Sequence, residues 1–147
     1  MEFNMPPRKT LSLLTSMFLF STVPAAAEMA SLTVTVTGAV TTSGTIEVTL
    51  FNSRDSFMKT IFLQKNGSPD ENGTYIAEFA GVIEGEYAVV VVHDENENQA
   101  YDSGFLGFGG ESLGYSNNVQ PFMGRPDFDQ VKLSIGDESL EIEISLY

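Results

Sequence analysis

The chain has 147 residues, is 42% hydrophobic and 11% aromatic, and carries a formal net charge of −13. Its mean hydropathy of zero marks a chain with enough apolar surface for one buried core, which argues against disorder despite the charge. The acidity disfavours nucleic acid and anionic lipid as partners and makes a cation the natural small partner. There is no cysteine, so disulfides, thiolate metal sites and thiol nucleophiles are excluded.

Met1 to Ala27 reads as a targeting segment. Arg8 and Lys9 supply the positive end, Leu11 to Phe20 the apolar stretch, and Pro24 to Ala27 a small-residue cleavage site. The apolar stretch is shorter than the ~20 residues of a membrane span. Cleavage after Ala27 leaves no stable membrane anchor and no cysteine for a lipid, so the expected location is periplasmic or extracellular. Residues 28–147 are then expected to form a single domain.

That domain reads as β throughout. Ser31 to Thr37 and Thr45 to Phe51 alternate strictly, the period of strands with one buried face. The short Gly38 to Gly44 connection predicts an antiparallel hairpin between them. Ser53 is placed to cap a helical turn over Arg54 to Lys59, with Phe57 and Met58 returning to the core. Lys65 to Gly73 has turn composition, Thr74 to Phe79 reads as a strand, and a tight turn is expected at Gly85. Tyr87 to His93 contains four consecutive valines and no polar face, which predicts a central strand buried on both sides. Asp94 to Asp127 is long, irregular and rich in Gly and Asn, as functional loops are. Phe128 to Ile135 and Ser139 to Leu146 alternate again. About seven strands with turns between them predict an all-β fold, an antiparallel β-sandwich of the immunoglobulin-like or transthyretin-like kind.

Chemistry concentrates where the valine run ends. Asp94, Asn96 and Asn98 have the D-x-N-x-N spacing of calcium loops, with the Ala100 carbonyl and Asp102 at the next two ligand positions. These hard oxygens suit Ca²⁺ better than Zn²⁺ or Cu²⁺. Gln99 and Phe105 stand where an EF-hand needs Gly and Glu, and no helix flanks the loop. It is therefore at most an EF-like loop on a β scaffold, with Glu111 as the nearest substitute carboxylate. The competing reading is an Asx-rich turn whose side chains bond their own backbone. His93, the lone histidine, is expected to bond a neighbouring carbonyl, since adjacent Asp94 points to the other strand face and no G-x-S-x-G is present. Catalysis by carboxylates near residues 94–118, as in a small hydrolase, is the alternative to a non-enzymatic binding or structural module. The aromatic segment Phe105 to Met123 either closes one end of the sandwich or presents a surface to a protein or small-ligand partner. Asn117 and Asn118 suit loop pinning or oxygen ligation.

The set E-G-E-Y-A (84–88), H-D-E-N-E-N-x-x-x-D (93–102), L-G (106–107), E-S-L-G-Y-S-N-N (111–118) and G-R-P-D-F (124–128) resembles an exported bacterial family, domain-of-unknown-function family 2141. The resemblance runs from about Leu32 to Tyr147. Gln99 replaces the Gly usual in that family, and Phe108-Gly109-Gly110 stands where a Pro is common. What it implies is a small exported β-sandwich with no assigned activity.

Overall fold

A computed structural model describes Met1 and residues 29–99, 110–122 and 124–147. The predicted targeting segment, Met1 apart, lies outside the described residues, as does the final residue 28 before them. Among the described residues no helix is long and apolar enough to cross a membrane.

The domain is a β-sandwich of two sheets. One has three strands in the order β4 (Tyr75–Val82), β1 (Ala30–Thr37), β8 (Leu140–Ser145). The other has five: β3 (Leu63–Gly67), β2 (Thr45–Phe51), β5 (Gly85–Asp94) and β6 (Leu113–Tyr115) in order, with β7 (Leu133–Ile135) also paired to β5. All pairings are antiparallel except β1 with β8, which run parallel with Val34 opposite Ile142.

The alternating strands turn their apolar sides to one core. Leu32, Val34 and Val36 of β1 face Ile46, Val48 and Leu50 of β2, all fully buried. Each such side chain contributes about 1.5–3 kcal/mol. This opposition corrects the predicted hairpin. β1 and β2 are not paired; they belong to different sheets, and residues 38–44 carry the chain across the sandwich. Burying two apolar faces against each other satisfies both strands, whereas side-by-side pairing would leave a two-strand ribbon with nothing beneath it.

Strand β5 is central and buried on both faces. Tyr87, Val89 and Val91 enter the main core. Ala88 and Val90 enter a second cluster on the outer side of the sheet with Phe51, Tyr115, Phe128 and Val131. Phe57 and Met58 close that cluster, and the Phe57 ring meets Phe51 and Phe128 edge-on at 5.5 and 5.9 Å. They are delivered by the helical turn after Ser53, whose hydroxyl accepts from the Ser56 amide at 3.2 Å.

Three further expectations are corrected. Phe128 to Ile135 is not one strand: a single helical turn, α1 (Phe128–Val131), precedes β7. Phe128 and Val131, three apart, face the outer cluster together, and the Asp127 amide donates to Gln130 Oε1 at 2.8 Å, closing the turn as a capping box does. Lys65 to Gly67 belong to β3 rather than to the turn, because pairing with β2 overrides their composition. Likewise Gly85 starts β5 instead of forming the turn.

The Ser116–Asn118 3-10 turn ties the elements together. The buried Ser116 hydroxyl accepts from the Val89 amide at 3.0 Å and donates to the Val131 carbonyl. Asn117 Nδ2 donates to the Lys132 carbonyl at 3.0 Å. Asn118 Nδ2 donates to the Glu143 carbonyl at 3.1 Å, and its Oδ1 accepts from the Ser145 amide at 2.8 Å. Both asparagines adopt positive φ, which Asn tolerates. Their amides pin the loop to β8 and to the chain after α1. Leu113 and Tyr147 exchange backbone hydrogen bonds of 3.0 and 3.3 Å, joining β6 to the extension of β8. Gly114 permits that approach: a Cβ there would lie 2.7 Å from Ile144 Cγ2.

At the surface, Asp129 accepts from Arg54 and lies 3.6 Å from Lys132. The Arg54 hydrogen bond, aided by both cations and only partly opposed by desolvation, holds the Asp129 carboxyl below its ordinary 3.8. Its stabilisation is therefore complete above pH 3.8 and is lost as pH falls through the lowered folded value. Asp129→Asn is expected to lower the melting temperature slightly at neutral pH and to flatten its decline in acid. Melts recorded from neutral pH down to about pH 2 check this; an unchanged acid slope would remove Asp129 from the account.

Candidate functional site

The site begins where β5 ends. His93 and Asp94 point to opposite faces, as successive strand residues must. His93 is fully buried, and its Nε2–H donates to the Ser43 carbonyl at 2.8 Å. A carbonyl only accepts, so Nε2 carries a proton, and the other ring nitrogen is Nδ1. It has no hydrogen-bond partner among the described residues and lies 3.9 Å from Glu95 Oε1. The histidine thus anchors the 38–44 crossing.

Asp94 is 3% exposed. Its Oδ2 accepts from the Gln99 amide at 2.8 Å, and its Oδ1 accepts from the Asn98 amide at 3.2 Å. The same Asn98 amide also donates to Asn96 Oδ1 at 2.9 Å. One N–H therefore stands between oxygens of Asp94 and Asn96, and the backbone curls around the strand end. Glu97 and Gln99 take positive φ in making that curl. Burial pushes the Asp94 carboxyl up. The amides of Gln99, Asn98 and Glu97 and a hydrogen bond with the Glu111 side chain outweigh it, and the net shift is down.

Glu111 lies 17 positions further along the chain and is also buried. Two carboxyl groups can hydrogen-bond only if one carries the proton. Among the sequence-predicted residues, the structure thus brings Asp94, Asn96 and Glu111 to one strand end. Asn98 contributes its backbone amide there. Ala100 and Asp102 lie outside the described residues. Among the described residues no group of three His, Asp or Glu side chains is assembled for a metal. Of the aromatic segment, Leu113 and Tyr115 pack on the outer cluster, and Phe122 is exposed. Phe105, Leu106, Phe108 and Met123 lie outside the described residues.

Beside the Asp94 loop is a cleft of about 700 Å³ that the sequence reading missed. Its floor is the outward side of β2, with Thr45, Glu47 and Thr49, and of β3, with Gln64 and Asn66. Asp94, Glu97 and Gln99 line it from the end of β5 and the loop after it, and Ile61, just before β3, completes the lining. Register sets the pattern: Asn66 sits opposite Glu47, Gln64 opposite Thr49, and Thr45 opposite Asp94. The signal was the T-x-E-x-T outward face of β2, which alone says only that this face is polar. A smaller cavity of about 280 Å³ adjoins the apolar half of the same sheet, between Val90, Val92, Leu113 and Met58.

Residues 34–143 match the model of a family described as an uncharacterized protein conserved in bacteria. No curated protein and no solved structure matches the chain.

Proposed function

The chain belongs to domain-of-unknown-function family 2141, and on that premise we propose that it is an exported, non-enzymatic binding module whose Asp94 loop is ordered by Ca²⁺. The observation that carries the reading is the meeting of the buried Asp94 and Glu111 carboxyls at the end of β5. Such a pair must share a proton or hold a cation. Ca²⁺ takes six to eight oxygens, carbonyls and waters among them, so two carboxylates with the Asn96 amide oxygen are a sufficient nucleus. The Ala100 carbonyl and Asp102 stand at the remaining ligand positions of the sequence spacing. Export follows from the targeting segment at residues 1–27.

The hydrolase alternative ranks behind this. A retaining glycosidase separates its two carboxyls by about 5–5.5 Å and an inverting one by more, to admit the bond that is cut. Here the two groups are in hydrogen-bond contact and leave no such gap.

Millimolar Ca²⁺ is expected to raise the melting temperature by several degrees over EDTA, because a ligand that binds only the folded state stabilises it by mass action. Mg²⁺, smaller and bound to its waters, should do much less. Asp94→Ala and Glu111→Gln should each remove the Ca²⁺ response. A melting temperature indifferent to Ca²⁺ would sink the ion reading.

A further inference from the structure

We propose that the cleft over β2 and β3 is a binding site for a neutral polyhydroxylated ligand of the saccharide class. This rests on the reading of the chain as a binding module, and not on the ion.

The cleft's volume of about 700 Å³ falls in the ordinary range for small-molecule sites. Its lining chooses among ligand classes. Among the described residues Glu47, Asp94 and Glu97 face it and no Lys, Arg or His does, so phosphates, nucleotides and carboxylates are repelled. No three acidic side chains cluster among the described residues, so these carboxylates do not form a chelate for a single metal ion. The remaining polar groups separate amines from sugars. Thr45, Thr49, Gln64, Asn66 and Gln99 carry hydroxyl or amide groups that both donate and accept. An ammonium ligand only donates and would leave the amide N–H groups without acceptors. A sugar hydroxyl both donates and accepts. It can answer the amides, and it can donate a charge-assisted bond to the carboxylates.

The arrangement is also suitable. The floor side chains stand on paired strands, about 4.8 Å apart across the sheet and about 6.8 Å apart along a strand. That is a fixed grid of polar groups, so little ordering is needed on binding. Ile61, 55% exposed, offers apolar surface to the C–H face of a ring. The carboxylates of Glu141 and Glu143 lie on β8, in the other sheet, and serve as a control.

The test is a calorimetric or NMR titration of the full chain with neutral hexasaccharides of glucose, N-acetylglucosamine, mannose and galactose, and with spermidine. Each is run in EDTA and again in millimolar Ca²⁺. At least one hexasaccharide is expected to bind saturably, and the Gln64→Ala/Asn66→Ala pair should weaken it tenfold or more. The Glu141→Gln/Glu143→Gln pair should leave it unchanged. Both pairs replace surface side chains, and their folding is checked by thermal melting. No binding of any hexasaccharide in either buffer overturns the proposal. So does saccharide binding indifferent to Gln64→Ala/Asn66→Ala, or spermidine binding abolished by Glu47→Gln in place of saccharide binding. The Ca²⁺-dependent melting shift is read separately, so failure of the ion reading and failure of this one are distinguishable.

Discussion

Gly44→Ala is expected to destabilise the domain by about 2–5 kcal/mol, far beyond the usual effect of adding one methyl group. Gly44 has φ +83°, where an L-residue pays about 1–2 kcal/mol. The added Cβ would also lie 2.3 Å from the Asp94 carbonyl oxygen and 2.6 Å from Glu95 Cα. Both are backbone atoms of the segment that holds the candidate site. They cannot rotate aside, so the crossing or the Asp94 turn must shift, at a further cost of about 1–3 kcal/mol. Movement of residue 43 would also loosen the Ser43 carbonyl from the buried His93. Against a total stability of roughly 5–15 kcal/mol the loss is large. Urea unfolding should show a lower midpoint at an unchanged slope. Hydrogen exchange should show the Asn98 and Gln99 amides losing protection before those of β1. Gly136→Ala is the control: nothing lies within 4 Å of its Cβ position, so it should be neutral or slightly stabilising. If both variants behave alike, the contact between the 38–44 crossing and the Asp94 turn is not constraining the loop.

The strands with strict alternation were readable because burial leaves a period in the chain, and β1, β2 and β8 carry it plainly, while β5 was readable from its unbroken apolar run. What alternation does not encode is the partner. The T-V-T-V-T of β1 and the I-E-V-T-L of β2 look the same whether the strands lie side by side or face each other, and the crossing of residues 38–44 between sheets was invisible for that reason. The turn of α1 was hidden by its neighbour: V-K-L-S-I alternates, and F-D-Q-V joined onto it reads as more of the same. The Asp127/Gln130 spacing was the available sign of a helix start. β3 is held by its ladder to β2, which no local propensity for Lys65 to Gly67 reveals. The site divides along the same line. The meeting of Asp94 with Glu111 was accessible because carboxylate chemistry can be read residue by residue. The cleft was not, since its polar groups come from three strands and a loop whose juxtaposition only the fold supplies.

The second large effect belongs to Ser116→Ala, expected to cost about 2–4 kcal/mol although it removes a single oxygen. Ser116 is fully buried just past the end of β6, beside Val89, which lies between the residues of β5 that pair with β6 and those that pair with β7. Its hydroxyl serves the gap between those two pairings: it accepts from the Val89 amide at 3.0 Å and donates to the Val131 carbonyl at the end of α1. Alanine leaves both backbone groups in an apolar setting without a partner, each at about 1–3 kcal/mol. The neighbouring cluster of Val90, Phe128 and Val131 excludes the water that would otherwise repair the loss. Ser116→Thr, which keeps the hydroxyl, should recover part of the stability, less the strain of an added methyl group. Ser116→Val, with similar volume and no hydroxyl, should recover none. Chemical denaturation of the three variants separates the hydrogen bonds from packing. Because α1 is held to β5 through this oxygen, exchange protection at Lys132 should fall with the same order of variants. Equal stability of Ser116→Thr and Ser116→Val would show that volume, not the hydroxyl, is what Ser116 contributes.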